Sequence, residues 1–198
     1  LKISFSGIAW SQIKDVISSI GVLGTLTLGT IGLTTWWRQL RGTSKYDVAR
    51  RLLLHTYKVQ DAIAALRSPM TFLTKKDVEE LGELKAEMRI YDERMQRLFE
   101  RWAELRTVSH EARVFWREEV DACFKPIGTI VGALRGHVWE FFWLKKAFAG
   151  AAMVDDNPAR VAANKAIVYQ TSEDDEFSKK IIAAVQQVES FVDKHIKR

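Results

Sequence analysis

A chain of 198 residues with 47% hydrophobic content has room for one membrane segment and one compact domain, but not for several domains. Its net charge of +5 is modest, and much of it gathers just after residue 37, which disfavours a nucleic-acid (and in particular a DNA) platform with its charge on the folded domain. Cys123 is the single cysteine, so an intrachain disulfide and a cysteine metal cluster are excluded, and a reduced cytoplasm fits.

The first element is uncharged from Val16 to Trp37, 22 residues, or about 33 Å as a helix against a hydrocarbon core of roughly 30 Å. Half of it is Gly, Ser or Thr. Trp36 and Trp37 are followed by Arg38, Arg41, Lys45, Arg50 and Arg51, the pattern of indoles at headgroup level with cations on the cytoplasmic side. Those cations would be drawn to anionic lipid by about 1 kcal/mol each. The expected organisation is a short extracytoplasmic segment over 1–15, a transmembrane helix over 16–37, a basic juxtamembrane linker over 38–45 and a cytoplasmic helical bundle over 46–198. This predicts a single-pass protein of a bacterial inner membrane. A cleaved signal peptide fits less well, because the apolar core is too long and no small-residue cleavage site precedes the tryptophans. A buried helix of a water-soluble protein is the other alternative.

Ser18, Gly21, Thr25, Gly29 and Gly32 fall on one side of that helix, at spacings of three and four. A small-residue face lets neighbouring backbones approach and hydroxyls bond across the contact, so self-association is expected. The face would either join anchors without a pore or line a narrow passage within a ring of copies.

Gly42-Thr43-Ser44 predicts a break, followed by a helix over Tyr46–Arg67 with Ser44 as cap and Val48, Leu52, Tyr57, Val59, Ile63 and Leu66 as its apolar stripe. Ser68-Pro69 stops it, and Met70 to Leu73 should tuck into the core. Thr74 caps a long helix over Lys76–Arg106, a spine of about 45 Å. Ser109 is expected to cap the next helix, which Pro126 kinks or stops.

Residues 126–154 differ from an ordinary bundle helix. Gly128, Gly132 and Gly136 form a ridge of glycines four apart, each costing about 1 kcal/mol against alanine, so a close helix contact should compensate. Trp139, Phe141, Phe142, Trp143 and Phe148 follow, beside Lys145 and Lys146, a combination suited to packing inside the bundle, to a subunit contact or to a membrane surface. A loop or short helix joins this segment to a last helix over Glu173–Lys197, with Phe177, Ile181, Ile182, Ala184, Val185, Val188, Phe191 and Val192 inward. Its opening Glu173-Asp174-Asp175-Glu176 complements the helix N-terminus. The class is therefore all-α: one transmembrane helix and an antiparallel bundle with one long spine.

No phosphate-cradling glycine loop, nucleophile elbow or metal-spaced histidine set occurs in the sequence, so no enzyme, cofactor or metal is expected. One short pattern carries chemistry. Arg50 and His55, in ARRLLLH, match the RxxxxH signature and resemble the HEPN family of all-helical RNases and RNA-binding modules. That resemblance implies an Arg/His pair meeting its copy at a dimer cleft and cleaving RNA without metal. The order of anchor and then WWRQLRGTSKYDVARRLLLHTYKVQDAIAALRSPM is similar to a group of small bacterial proteins that join a membrane anchor to a helical cytoplasmic domain. More distantly, the architecture resembles HEPN-like membrane accessory proteins of RNA-targeting CRISPR systems, which assemble as rings. A spanning run too polar for a bare anchor leads to the expectation of a homo-oligomer in membrane lipid that permeabilises or gates the membrane in phage defence, its cytoplasmic protein or RNA trigger unassigned. A membrane-tethered ribonuclease using Arg50 and His55 is the alternative, and a non-catalytic scaffold the third.

Overall fold

The computed structural model describes residues 10–148, 157–170, 172 and 174–196, with side chains at 30, 32–34 and 36 and, within those ranges, from 43 onward. The protein is all-α, with six helices and no strand among the described residues: α1 Trp10–Arg67, α2 Lys75–Leu81, α3 Glu83–Trp116, α4 Glu118–Leu144, α5 Pro158–Val168 and α6 Glu176–Ile196. The chain divides into two units, Leu1–Ser44 and Lys45–Arg198.

Within the first unit the described residues are helical from Trp10. Thr30, Gly32, Leu33, Thr34 and Trp36 are exposed. Among the described residues no helix is long and apolar enough to cross a membrane. The side chains of Ser18, Gly21, Thr25, Gly29, Trp37, Arg38 and Arg41, on which the expected span and its small face rest, lie outside the described residues.

The expected break at Gly42-Thr43-Ser44 is absent. α1 passes through it, so residues 38–45 are helical and Ser44 is no cap. A lone glycine costs a helix about 1 kcal/mol, which continuous bonding on both sides outweighs. α1 ends at Arg67, where Pro69 pushes the preceding residue out of the helical region.

In the second unit, Val48, Ala49, Leu52, Val59, Ile63 and Leu66 of α1 are buried against the other helices. Tyr57, expected in that stripe, is exposed and donates to Glu189 Oε1 at 2.7 Å. The Met70–Leu73 stretch does not tuck in: Met70 and Phe72 are 67% and 81% exposed.

The single spine expected over Lys76–Arg106 is two helices. Thr74 caps α2, accepting from the Asp77 N–H at 3.2 Å. Gly82 then turns the chain at φ +77°, a conformation glycine adopts without steric cost. α3 continues past the predicted end to Trp116, and Ser109 is buried within it, its hydroxyl donating to the Arg106 carbonyl at 2.7 Å rather than capping a helix. The reversal comes instead at Arg117, with φ +47°.

Pro126 neither stops nor ends α4; it lies inside it. Proline cannot donate to the carbonyl four residues back. That carbonyl, of Ala122, accepts from Gln187 Nε2 of α6 at 3.4 Å, so the neighbouring helix fills the missing bond. α4 finishes in paired bonds, Lys146 N–H to Trp143 O and Ala147 N–H to Phe142 O, with Lys146 at φ +59° in the left-handed position that usually holds glycine. α5 starts on Asn157, whose side chain accepts from the Ala159 N–H at 3.0 Å, with Pro158 at its first position. α6 buries Phe177, Ile181, Ala184, Val185, Val188 and Val192, whereas Ile182 is 40% exposed.

Candidate functional site

α1 puts Arg50 and His55 five positions apart, about 140° around the helix. Arg50 is exposed, and His55 is half-buried with Nδ1 3.3 Å from Glu104 Oε2 of α3, without hydrogen-bond geometry. The two side chains are therefore not brought together within one chain. His55 belongs instead to a seam between α1 and α3. Arg51 pairs with Glu111 one turn earlier, and Glu104 also accepts from Arg101 at 2.8 Å. The Arg101 bond is the main reason the Glu104 carboxyl sits below its ordinary value; burial opposes it, and the charges of Lys58 and His55 add to it. As numbers rise along α1 they fall along α3, so these helices run antiparallel.

The best-built polar centre in the unit is Arg67, the last residue of α1. It is 1% exposed. Nε donates to the Ile167 carbonyl at 2.8 Å and one terminal nitrogen to Ser178 Oγ at 2.8 Å. The other reaches the carbonyls of Ala166 and Tyr169 at 3.3 and 3.2 Å and both oxygens of Asp175 at 3.1 and 3.2 Å. Its own carbonyl accepts from the Gln170 N–H at 2.8 Å, and its guanidinium lies 4.9 Å from the Phe177 ring centre.

The two ends it joins are electrically suited to it. The carbonyls are those left unpaired at the end of α5, and Asp175 precedes α6, accepting from the Ser178 N–H at 2.7 Å. Burial pushes the Asp175 carboxyl up, but the bonds from Ser178 and Arg67 outweigh it and hold the group below its ordinary value. The capping role expected of the acidic run thus falls to Asp175. Arg67 itself was not expected. A cation in the last turn of a helix is ordinarily solvated, and its only signal in the sequence is its place directly after the buried stripe at Ile63 and Leu66.

The glycine ridge on α4 divides. A Cβ on Gly128 would meet the Trp102 ring at 3.1 and 3.3 Å, so one close helix contact is present as expected. Gly132 and Gly136 are exposed, and a Cβ there would meet nothing within 4 Å, so the close packing expected at these two is absent among the described residues. Trp139, 56% exposed, continues this face and stacks on Trp143 at 5.7 Å and on Phe148 at 5.9 Å. Arg160 of α5 lies over Trp143 at 5.6 Å and pairs with Glu140 at 2.7 Å. The Arg160 bond is the first cause of the lowered Glu140 carboxyl; burial opposes it, and Asn164 assists. Among the described residues no group of three or more carboxylate, histidine or cysteine side chains is placed to hold a metal ion.

Of the expected membrane face, a Cβ on Gly32 would meet nothing within 4 Å among the described residues, and Trp36 is 53% exposed. Comparison with protein-family models, with curated proteins and with solved structures returns no match to this chain.

Proposed function

We propose that this chain is a self-assembling protein of a bacterial inner membrane that crosses the bilayer once through residues 16–37 and permeabilises or gates it as an oligomer, in defence against phage. The observation that carries the reading is the 22-residue uncharged stretch, half glycine, serine and threonine, lying on the uninterrupted helix α1. Such a stretch gains little from lipid as a bare anchor and much from close contact with its own copies. Trp36, Trp37, Arg38 and Arg41 would set its depth, and Ser18, Gly21, Thr25, Gly29 and Gly32 would form the helix contact or the lumen. The open face of Gly132, Gly136 and Trp139 supports a second contact between copies, because an apolar face of this kind fits an interface better than bulk water.

The test is the mass of the full chain in detergent, with dye release from liposomes read in parallel. The wild type should run as an oligomer and release dye. Gly21→Leu with Gly29→Leu should cut the mass to monomer and abolish release. An unchanged mass overturns the assembly, and an oligomer that never leaks leaves a scaffold in place of a pore. RNA cleavage lost in His55→Ala would replace the reading with the ribonuclease.

A further inference from the structure

South of the His55–Glu104 contact, the α1–α3 seam changes character: carboxylates give way to like charges facing one another. Lys58 of α1 and Arg94, Arg97 and Arg101 of α3 line a cleft of about 320 Å³, with Asp61 the one carboxylate. Two of the four are committed. Arg94 donates to the Ser68 carbonyl at 2.8 Å and to that of Met70, holding the chain after α1, and Arg101 pairs with Glu104. Lys58 feels Glu104 only through space, and Arg97 has no ion pair or hydrogen bond among the described residues. Several arginines elsewhere in the unit have carboxylate partners, as Arg51 with Glu111, Arg89 with Asp77, Arg113 with Asp121 and Arg160 with Glu140, whereas Arg50, Arg106, Arg117 and Arg135 have none among the described residues.

Like charges three and four apart on a helix repel, so this arrangement is better satisfied with an anion between them. A second cleft of about 500 Å³ opens from the first, sharing Ala65, Arg94 and Arg97 and adding Met70, Phe72 and Ile90. Its carboxylate, Glu93, is engaged by Arg89 at 3.8 Å. Phe72 presents a flat apolar surface beside the cations, and both volumes fall in the range of small-molecule sites. Guanidinium forks match phosphate oxygens, and an aromatic ring next to them suits a planar base.

We propose that the α1–α3 cleft binds a nucleotide-sized organic phosphate, its phosphates on Lys58 and Arg97 and its planar part against Phe72 and Met70. The site is independent of the membrane reading. The full chain is titrated by calorimetry with ATP, tripolyphosphate and adenosine. ATP should bind and adenosine should not. Arg97→Ala and Lys58→Ala should each weaken ATP about tenfold, the loss expected for a charge-assisted bond. Phe72→Ala should weaken ATP about fivefold and leave tripolyphosphate unchanged, as expected for a lost stacking surface. Arg97 and Phe72 are exposed, so unchanged melting should accompany both. The proposal is overturned if ATP fails to bind or if Phe72→Ala leaves ATP binding intact. It is equally overturned if a single-stranded oligonucleotide or anionic-lipid vesicles bind the full chain and ATP does not compete.

Discussion

Arg67 shows how much a single residue can organise when its burial is fully compensated. A charged group taken out of water costs several kcal/mol unless partners replace the solvent, and here five residues do so. Removing it leaves three carbonyls without its bonds and Asp175 with only Ser178 as donor. Arg67→Ala should therefore lower stability by about 3–5 kcal/mol, and Arg67→Lys should recover little, since an ammonium cannot span that fork. Urea unfolding of the isolated variants measures both. The linked pH dependence follows from Asp175, whose carboxyl is held below its ordinary value in the folded state. Its contribution is complete above the unfolded aspartate pKa of about 3.9 and is lost as pH falls through the lower folded value. Asp175→Asn should be less stable than wild type at neutral pH and show a flatter acid limb. Parallel acid limbs would remove Asp175 from the account.

At the level of elements, the helices were far more legible than their boundaries. The stripes on α1 and α6 are sharply patterned, and Leu52, Val59, Ile63, Phe177, Ile181 and Val188 are buried where the three-and-four spacing put them. Boundaries failed where local signals were ambiguous. Ser109 has the chemistry of a cap but bonds back to its own helix. Pro126 has the chemistry of a breaker, yet Gln187 of a helix sixty residues away restores the bond it removes. The actual reversal rests on Arg117, a residue type with no preference for positive φ, so nothing local announced it. The glycine ridge gives an element-scale test. Gly128→Ala gains about 1 kcal/mol of helix propensity but must displace the Trp102 ring by a few tenths of an ångström, so it should stabilise less than the two substitutions that follow. Gly132→Ala and Gly136→Ala, with open space, should stabilise the isolated fold by roughly 0.5–1 kcal/mol through helix propensity. If those two variants lower the oligomer mass while raising the melting temperature, the face is a contact between copies; if they raise melting and leave the mass unchanged, it is plain surface.

For the whole molecule, Cys123 offers a built-in probe. It lies on α4 against α6, 3% exposed, with Sγ 3.7 Å from the Gln187 carbonyl. Burial pushes its thiol up to about 12, so the reactive thiolate is scarce near neutral pH. Iodoacetamide should label it at least about a thousandfold more slowly in the native chain than in urea, the suppression a stability of about 5 kcal/mol provides. Labelling at the unfolded rate would mean that the α4–α6 seam opens freely. The candidate sites were legible only in part. The RxxxxH spacing was visible, but a helix sets those side chains on different sides. The clustering of Lys58, Arg97 and Arg101 was not visible, because it depends on two helices about forty residues apart lying side by side.

The knot of bonds at the end of α1 has a mechanical consequence. One residue of axial travel in a helix is 1.5 Å, more than a hydrogen bond tolerates. Sliding or turning α1 by that amount would break its grip on the tail of α5 and the head of α6 at the same moment. While those bonds hold, the end of α1, the tail of α5 and the head of α6 are fixed to one another through one side chain.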